Sequence, residues 1–224
     1  MLFVDHDQMI RTLAPDRPDQ AFNMAVLPKA DGAPTTARQM RQAKGGTTKS
    51  GLGQIVDAVS IRARPAEAED RAVPGHWEGD LVCGKRMTAF ATLVERHSRF
   101  VMLVSLPHGH RAEVVADAIG QRITALPEQL RRSLTWDQGK EMAEHARFSV
   151  DTGVAVYFCD PKSPWQRGTN ENTNGLLRQY FPKRSDLALH SQADLDNVAA
   201  ELNGRPRQTL GWMTPSEALD KALR

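Results

Sequence analysis

Trp77-Glu78-Gly79-Asp80-Leu81-Val82-Cys83 reads as a β-strand with a carboxylate in its middle. Asp80 lies between Gly79 and the apolar pair Leu81-Val82. A charge in such a place costs free energy unless something compensates it. Two further β-rich runs follow, Thr88 to Val94 and Phe100 to Leu106. The tight polar segment Glu95-Arg96-His97-Ser98-Arg99 joins them as in a hairpin.

Downstream, the periodicity changes. Arg111 to Leu126 predicts a helix, because Val115, Ile119 and Leu126, with Val114, Ala118 and Ile123 beside them, form a broad apolar stripe. Pro127 closes it. Ser133 to Asp137 predicts a short strand that ends at the turn Gln138-Gly139, and a short helix is expected from about Glu141 to Val150. Val154 to Cys159 predicts a fifth, apolar strand. A polar loop, Asp160 to Trp165, then leads into a helix from about Gln166 to Gln179. In the tail, Leu195, Val198, Ala199 and Leu202 follow helical spacing after Ser191. Thr214-Pro215-Ser216-Glu217 carries a capping box with proline at the first helical position. Three strands, helix, strand, helix, strand, helix is the element order of an α/β, ribonuclease H-like fold. An antiparallel meander extended by parallel strands makes a five-stranded mixed sheet flanked by helices.

Before this domain, expected at 75–224, the signals weaken. Pro15, Pro18, Pro28 and Pro34 interrupt any longer helix, and Lys29 to Gly53 is rich in Gly, Thr, Ala and basic residues. Residues 1–53 are expected to be an atypical, poorly ordered N-terminal segment without a helix-turn-helix pattern. Residues 54–74 are expected to be an extended linker ending in Pro74-Gly75. The net charge of +2 does not announce a nucleic-acid binder, so any basic surface must be local. Cys83 and Cys159 lack CxxC spacing and read as free, buried thiols of a reducing compartment. No apolar run approaches the roughly 20 residues of a membrane span, and the acids near the start do not suit a signal peptide. A cytoplasmic protein with no membrane partner is expected.

Two more acids share the context of Asp80. Asp137 ends a predicted strand, and Glu171 lies 34 positions later in Asn170-Glu171-Asn172 on a predicted helix. Magnesium prefers oxygen ligands, and two such ions can activate an attacking oxygen and stabilise a leaving one in phosphoryl displacement. That chemistry needs carboxylates from separate elements meeting at one point. Taken singly, Asp137 suits a turn and Glu171 a solvated helix face; the set in this order points to a metal site. Around the third acid, Asp160 to Arg184 carries Lys162, Arg167, Arg178, Lys183 and Arg184 against two acids. Phosphate contacts supply much of DNA affinity. Lys140, Lys162, Arg167, Asn170, Asn174, Arg178 and Lys183 are therefore candidate DNA contacts, with a solvated basic face as the alternative. Trp165 suits a core or lid position, with base stacking as the alternative. His76 and His145 suit structural roles, with a place near the acids as the alternative.

These motifs resemble one family. Pro74-Gly75-His76-Trp77-Glu78-Gly79-Asp80-Leu81, Thr135-Trp136-Asp137-Gln138-Gly139-Lys140-Glu141 and Asp160-Pro161-Lys162-Ser163-Pro164-Trp165-Gln166-Arg167-Gly168-Thr169-Asn170-Glu171-Asn172 are similar to the insertion-sequence-30 family of bacterial transposases. Asn203-Gly204-Arg205-Pro206-Arg207, Leu210-Gly211-Trp212 and Thr214-Pro215 resemble the tail of related integrase cores. The resemblance runs from about Gln54 to Arg224. It implies an integrase catalytic core with an Asp-Asp-Glu triad at Asp80, Asp137 and Glu171. It also implies two Mg²⁺ or Mn²⁺ ions, cleavage at the ends of a mobile element, and transfer of the freed 3′-hydroxyl into target DNA. A homo-oligomer on DNA is expected from that reaction. Such transposases carry helix-turn-helix elements before the core, which residues 1–50 do not resemble. The alternative function is a truncated, non-catalytic DNA-binding remnant that interferes with an intact transposase.

Overall fold

The computed structural model describes residues 55–224, so the expectation for 1–53 lies outside the described residues. A 3-10 turn at Ile61–Ala63 and a one-turn helix α1 (Ala66–Glu69) precede strand β1 (His76–Cys83). Then follow β2 (Ala89–Glu95), β3 (Val101–Ser105), α2 (Ala112–Thr124), β4 (Ser133–Trp136), α3 (His145–Thr152) and β5 (Ala155–Phe158). Helices α4 (Gly168–Leu177), α5 (Gln192–Asn203) and α6 (Pro215–Ala222) complete the chain. The strands form one five-stranded sheet in the order β3-β2-β1-β4-β5. β1, β2 and β3 are antiparallel, while β4 and β5 run parallel to β1. This is the mixed sheet of the ribonuclease H-like fold.

Alternation along the strands gives each face its own core. Trp77, Leu93, Leu134, Trp136 and Phe158 turn to one side and pack with Val115, Ile119 and Ile123 of α2 and Phe148 of α3. Burying each of those three α2 side chains contributes roughly 1.5–3 kcal/mol. Val82, Phe90, Val94 and Leu103 turn to the other side, under Leu177 of α4, Phe181, and Leu195 and Leu202 of α5. Asp80 and Glu78 are two and four residues before Val82, so they share this second face.

The free edge of β3 is not left open. Asn203 accepts from Val101 N at 2.8 Å and donates to Val101 O at 2.8 Å. Gln192, at the other end of α5, accepts from Ser105 N at 2.9 Å and donates to Leu103 O at 2.8 Å. Helix α5 thus satisfies backbone groups that would otherwise template edge pairing.

Most element boundaries fall within a residue or two of those read from the sequence. The helix expected from Glu141 is the main difference. A 3-10 turn occupies Lys140–Met142, and α3 starts only at His145. Met142 is fully buried there, and Gly153, with φ of 72°, ends the helix in the left-handed region. The segment read as a linker also packs. Ile61 and Ala68 are buried, Phe158 N donates to Val59 O at 2.8 Å, and Ser60 forms a bridge with Phe158. No described helix is long and apolar enough to cross a membrane.

Gly79 shows how tightly the first core is closed. A Cβ there would lie 2.2 Å from Cζ3 of Trp136, far inside van der Waals contact. Gly79→Ala should therefore lower stability by roughly 1–3 kcal/mol, read from urea unfolding. An unchanged midpoint would contradict the close approach of β1 to the Trp136 ring.

Candidate active site

Parallel pairing of β1 with β4 places Glu78 opposite Thr135. Two residues further along both chains, Asp80 and Asp137 come to the same end of the sheet. Asp80 Oδ1 accepts from Leu81 N at 2.9 Å, and Oδ2 accepts from Asn174 Nδ2 of α4 at 2.9 Å. Asp137 Oδ1 accepts from Gly139 N at 2.8 Å, which fixes the turn after β4.

Arg167 sits between the two acids. Its guanidinium lies 3.3 Å from Asp80 Oδ1 and 3.3 Å from Asp137 Oδ2, and it donates to Gly79 O at 2.8 Å. Burial works against its charge, but Asp80 and Asp137 outweigh it and hold the Arg167 pKa above the ordinary value. Two carboxylates at one end of the sheet repel each other, and a cation between them removes that cost. The oxygens facing Arg167 are therefore a ready seat for a hard cation. Glu171 stands on the first turn of α4, exposed to solvent. It does not join Asp80 and Asp137 here. Among the described residues, no three His, Cys, Asp or Glu side chains cluster closely enough to hold a metal.

Beneath these acids lies a buried polar network. Glu78 is fully buried and ion-paired with Arg96, itself buried. The other Glu78 oxygen accepts from Asn170 N at 3.0 Å, in the first turn of α4. Asn170 Nδ2 donates to Glu78 O at 2.8 Å, and Thr92 Oγ1 donates to Asn170 Oδ1 at 3.0 Å. Arg96 Nε donates to Ala68 O at 2.8 Å. A carboxylate bonded to first-turn amides favours the helix N-terminus. Glu78 thereby fixes α4 to β1 and β2, and with it Asn174 and Glu171.

Several residues expected to contact DNA bond within the protein in this structure. Asn170 is fully buried in this network, and Arg167 is buried against the acids. Asn174 is committed to Asp80. Arg178 is half-buried and leans back onto Cys83 O at 3.3 Å. Lys140, Lys162 and Lys183 are exposed, as phosphate contacts require. Trp165 is 73% exposed, which rules out a core position. Cys159 is buried, and burial pushes its thiol up to about 11, whereas Cys83 is exposed, contrary to the expectation for it. His76 is buried on Ser133 Oγ at 2.7 Å, and burial lowers its pKa. His145 packs edge-on against Phe158. Neither histidine reaches the acids.

The sequence reading passed over Glu78 and Arg96. The signal was present in part, because Glu78 is two residues from Asp80 and shares its face. The partner on the β2–β3 turn carries no local signature.

The integrase core domain model matches residues 70–164, which include Asp80 and Asp137. The chain is 56% identical over 172 residues to the transposase for insertion sequence element IS1086 of Cupriavidus metallidurans, covering 76% of this chain and 50% of that protein. It is 49% identical over 189 residues to the transposase InsI for insertion sequence element IS30A of Escherichia coli, covering 84% and 49%. Over most of its length the chain matches transposases of the insertion-sequence-30 family. It spans about half the length of these curated relatives. A chain of the simian T-cell lymphotropic virus intasome, solved with the PP2A regulatory subunit B56 gamma, shares the fold. Its TM-score is 0.50 at 19% identity, over 65% of this chain and 54% of that one. The residues matched by the integrase core domain model include the two parallel strands β1 and β4 that bring Asp80 and Asp137 to one end of the sheet.

Removing Glu78 should expose the role of the network. Glu78→Ala leaves Arg96 buried without its charge partner, and should cost roughly 3–5 kcal/mol in chemical denaturation. A loss below about 1 kcal/mol, the value of an exposed pair, would show that the network does not anchor α4.

Proposed function

We propose that this transposase core cuts DNA at the ends of a mobile element and transfers the 3′-hydroxyl to target DNA, using Asp80, Asp137 and Glu171. The observation that carries the reading is the pair Asp80 and Asp137, drawn onto one cationic group at the ends of neighbouring parallel strands. Such a pair offers the hard oxygen donors that magnesium selects. Two divalent ions, Mg²⁺ or Mn²⁺, held by the three acids would supply an activated attacking oxygen and a stabilised leaving oxygen.

The chain's own residues set the conditions. Asn174 orients the Asp80 carboxylate, and Gly139 N orients Asp137. Glu171 is carried by a helix whose start is fixed by Glu78, so it can complete the site without the sheet moving. Arg167 must give up the acids when divalent cations take them. Its remaining bond to Gly79 O keeps it close by, able to turn toward a phosphate. Exposed Lys140, Lys162 and Lys183 would hold flanking DNA phosphates. Two element ends must meet for transfer, so the working form is an assembly of several copies on DNA in the bacterial cytoplasm.

The direct test incubates the purified chain with DNA carrying pre-cleaved element ends, a plasmid target and Mg²⁺ or Mn²⁺. Joined products are expected, and Asp80→Asn, Asp137→Asn and Glu171→Gln should each abolish them. Binding without joining would overturn activity of this chain alone and favour a non-catalytic remnant. Equal joining by the three variants would overturn the site.

The Arg167 competition has its own readout. In Arg167→Met, Mn²⁺ binding measured by titration calorimetry should tighten on the order of tenfold, equal to about 1.4 kcal/mol. Unchanged or weaker binding would show that Arg167 does not occupy the cation position.

A further inference from the structure

The loop that sends Arg167 toward the acids lines a second site on its other side. Trp165 there borders a cavity of about 460 Å³ together with Arg62, Arg64, Arg71, Arg96 and Glu69. Gly168, the first residue of the ten-residue helix α4, also lines it.

The charges in this cavity are unevenly answered. Arg96 has Glu78, and Arg62 has Asp160 at 3.1 Å. Arg64 has the exposed Glu69 at 3.4 Å as its carboxylate partner and donates to Thr135 Oγ1 at 3.2 Å. Its side chain is 3% exposed, yet Nε is buried with no hydrogen-bond partner among the described residues. Arg71 has no carboxylate partner among the described residues, and its backbone is in the left-handed region with φ of 54°. Burial first, and then like charges including Arg71, lower the pKa of Arg96 and Arg99. An adjoining cavity of about 610 Å³ shares Arg71 and adds Arg99 and Lys221.

Cations kept together against their repulsion, with an orphaned buried guanidinium N–H, fit an anion. Guanidinium forks match the geometry of phosphate oxygens. An exposed indole beside them supplies a stacking surface for a base, a pairing of features typical of single-strand binding. We propose that this cavity seats a phosphodiester of a single DNA strand, with Arg64 and Arg71 on its oxygens and a base stacked on Trp165. The proposal deepens, and rests on, the strand-transfer reading, because the same loop would present the strand to the acids.

Fluorescence anisotropy of the full chain with a labelled single-stranded oligonucleotide, in EDTA, tests it apart from catalysis. Arg71→Ala should weaken binding and reduce the slope of log K against log salt by about 0.7, one phosphate contact on a single strand. Trp165→Ala should weaken binding at least about fivefold with the slope unchanged. Arg147→Ala, on the exposed face of α3, should bind as wild type. Wild-type binding by both pocket variants, or no binding by the wild type, overturns the cavity assignment whatever the joining assay gives. Selective loss in the pocket variants, with a wild type that fails to join ends, keeps the cavity and overturns the transfer reading instead.

Discussion

The buried pair of Glu78 and Arg96, extended by Asn170, is the constraint on which the site depends. Charge taken out of water is costly, and it survives in a core only when its hydrogen-bonding capacity is filled. Glu78 fills its own by meeting Arg96 on one oxygen and the first turn of α4 on the other. A generic apolar residue at 78 would pack the face but would not select the position of α4 along β1. The polar pairing does, since Asn170 bonds Glu78 and Thr92 at once. Asn174, one turn further on, then meets Asp80. The anchor and the site are one run of hydrogen bonds along the same helix.

That arrangement explains why a cluster of like charges can persist. Asp80 and Asp137 stand together because Arg167 is between them, and Arg167 tolerates burial because the two acids hold its charge. Each member would be unfavourable alone. Acids answered in this way need no ligand to stand together, and under the proposed function another cation would take over the same oxygens. Glu171 lies outside this pair and is exposed.

Much of the sheet was legible because alternation and apolar runs are local signals. Helix α5 was legible from Leu195, Val198, Ala199 and Leu202, and Ser191 and Thr214 form the capping boxes that begin α5 and α6. The nearness of Asp80 and Asp137 followed from strand order. Side-chain direction did not. Asn170 and Arg167 look like DNA contacts in a basic, asparagine-rich motif, yet both turn inward because buried Glu78 and the acid pair lie there. Arg96, 18 residues from Glu78, is visible only once the hairpin has folded. The packing of Ile61 and Ala68 was hidden for a related reason, since a short, proline-flanked segment carries no periodicity of its own.

The central claim is that the three acids take divalent cations in place of Arg167. It is tested most directly by Mn²⁺ anomalous scattering from crystals of the chain bound to a pre-cleaved element end. The account predicts Mn²⁺ peaks coordinated by Asp80, Asp137 and Glu171, with the Arg167 guanidinium withdrawn from both aspartates. Peaks elsewhere, or Arg167 still seated between Asp80 and Asp137 with Glu171 turned to solvent, would contradict it.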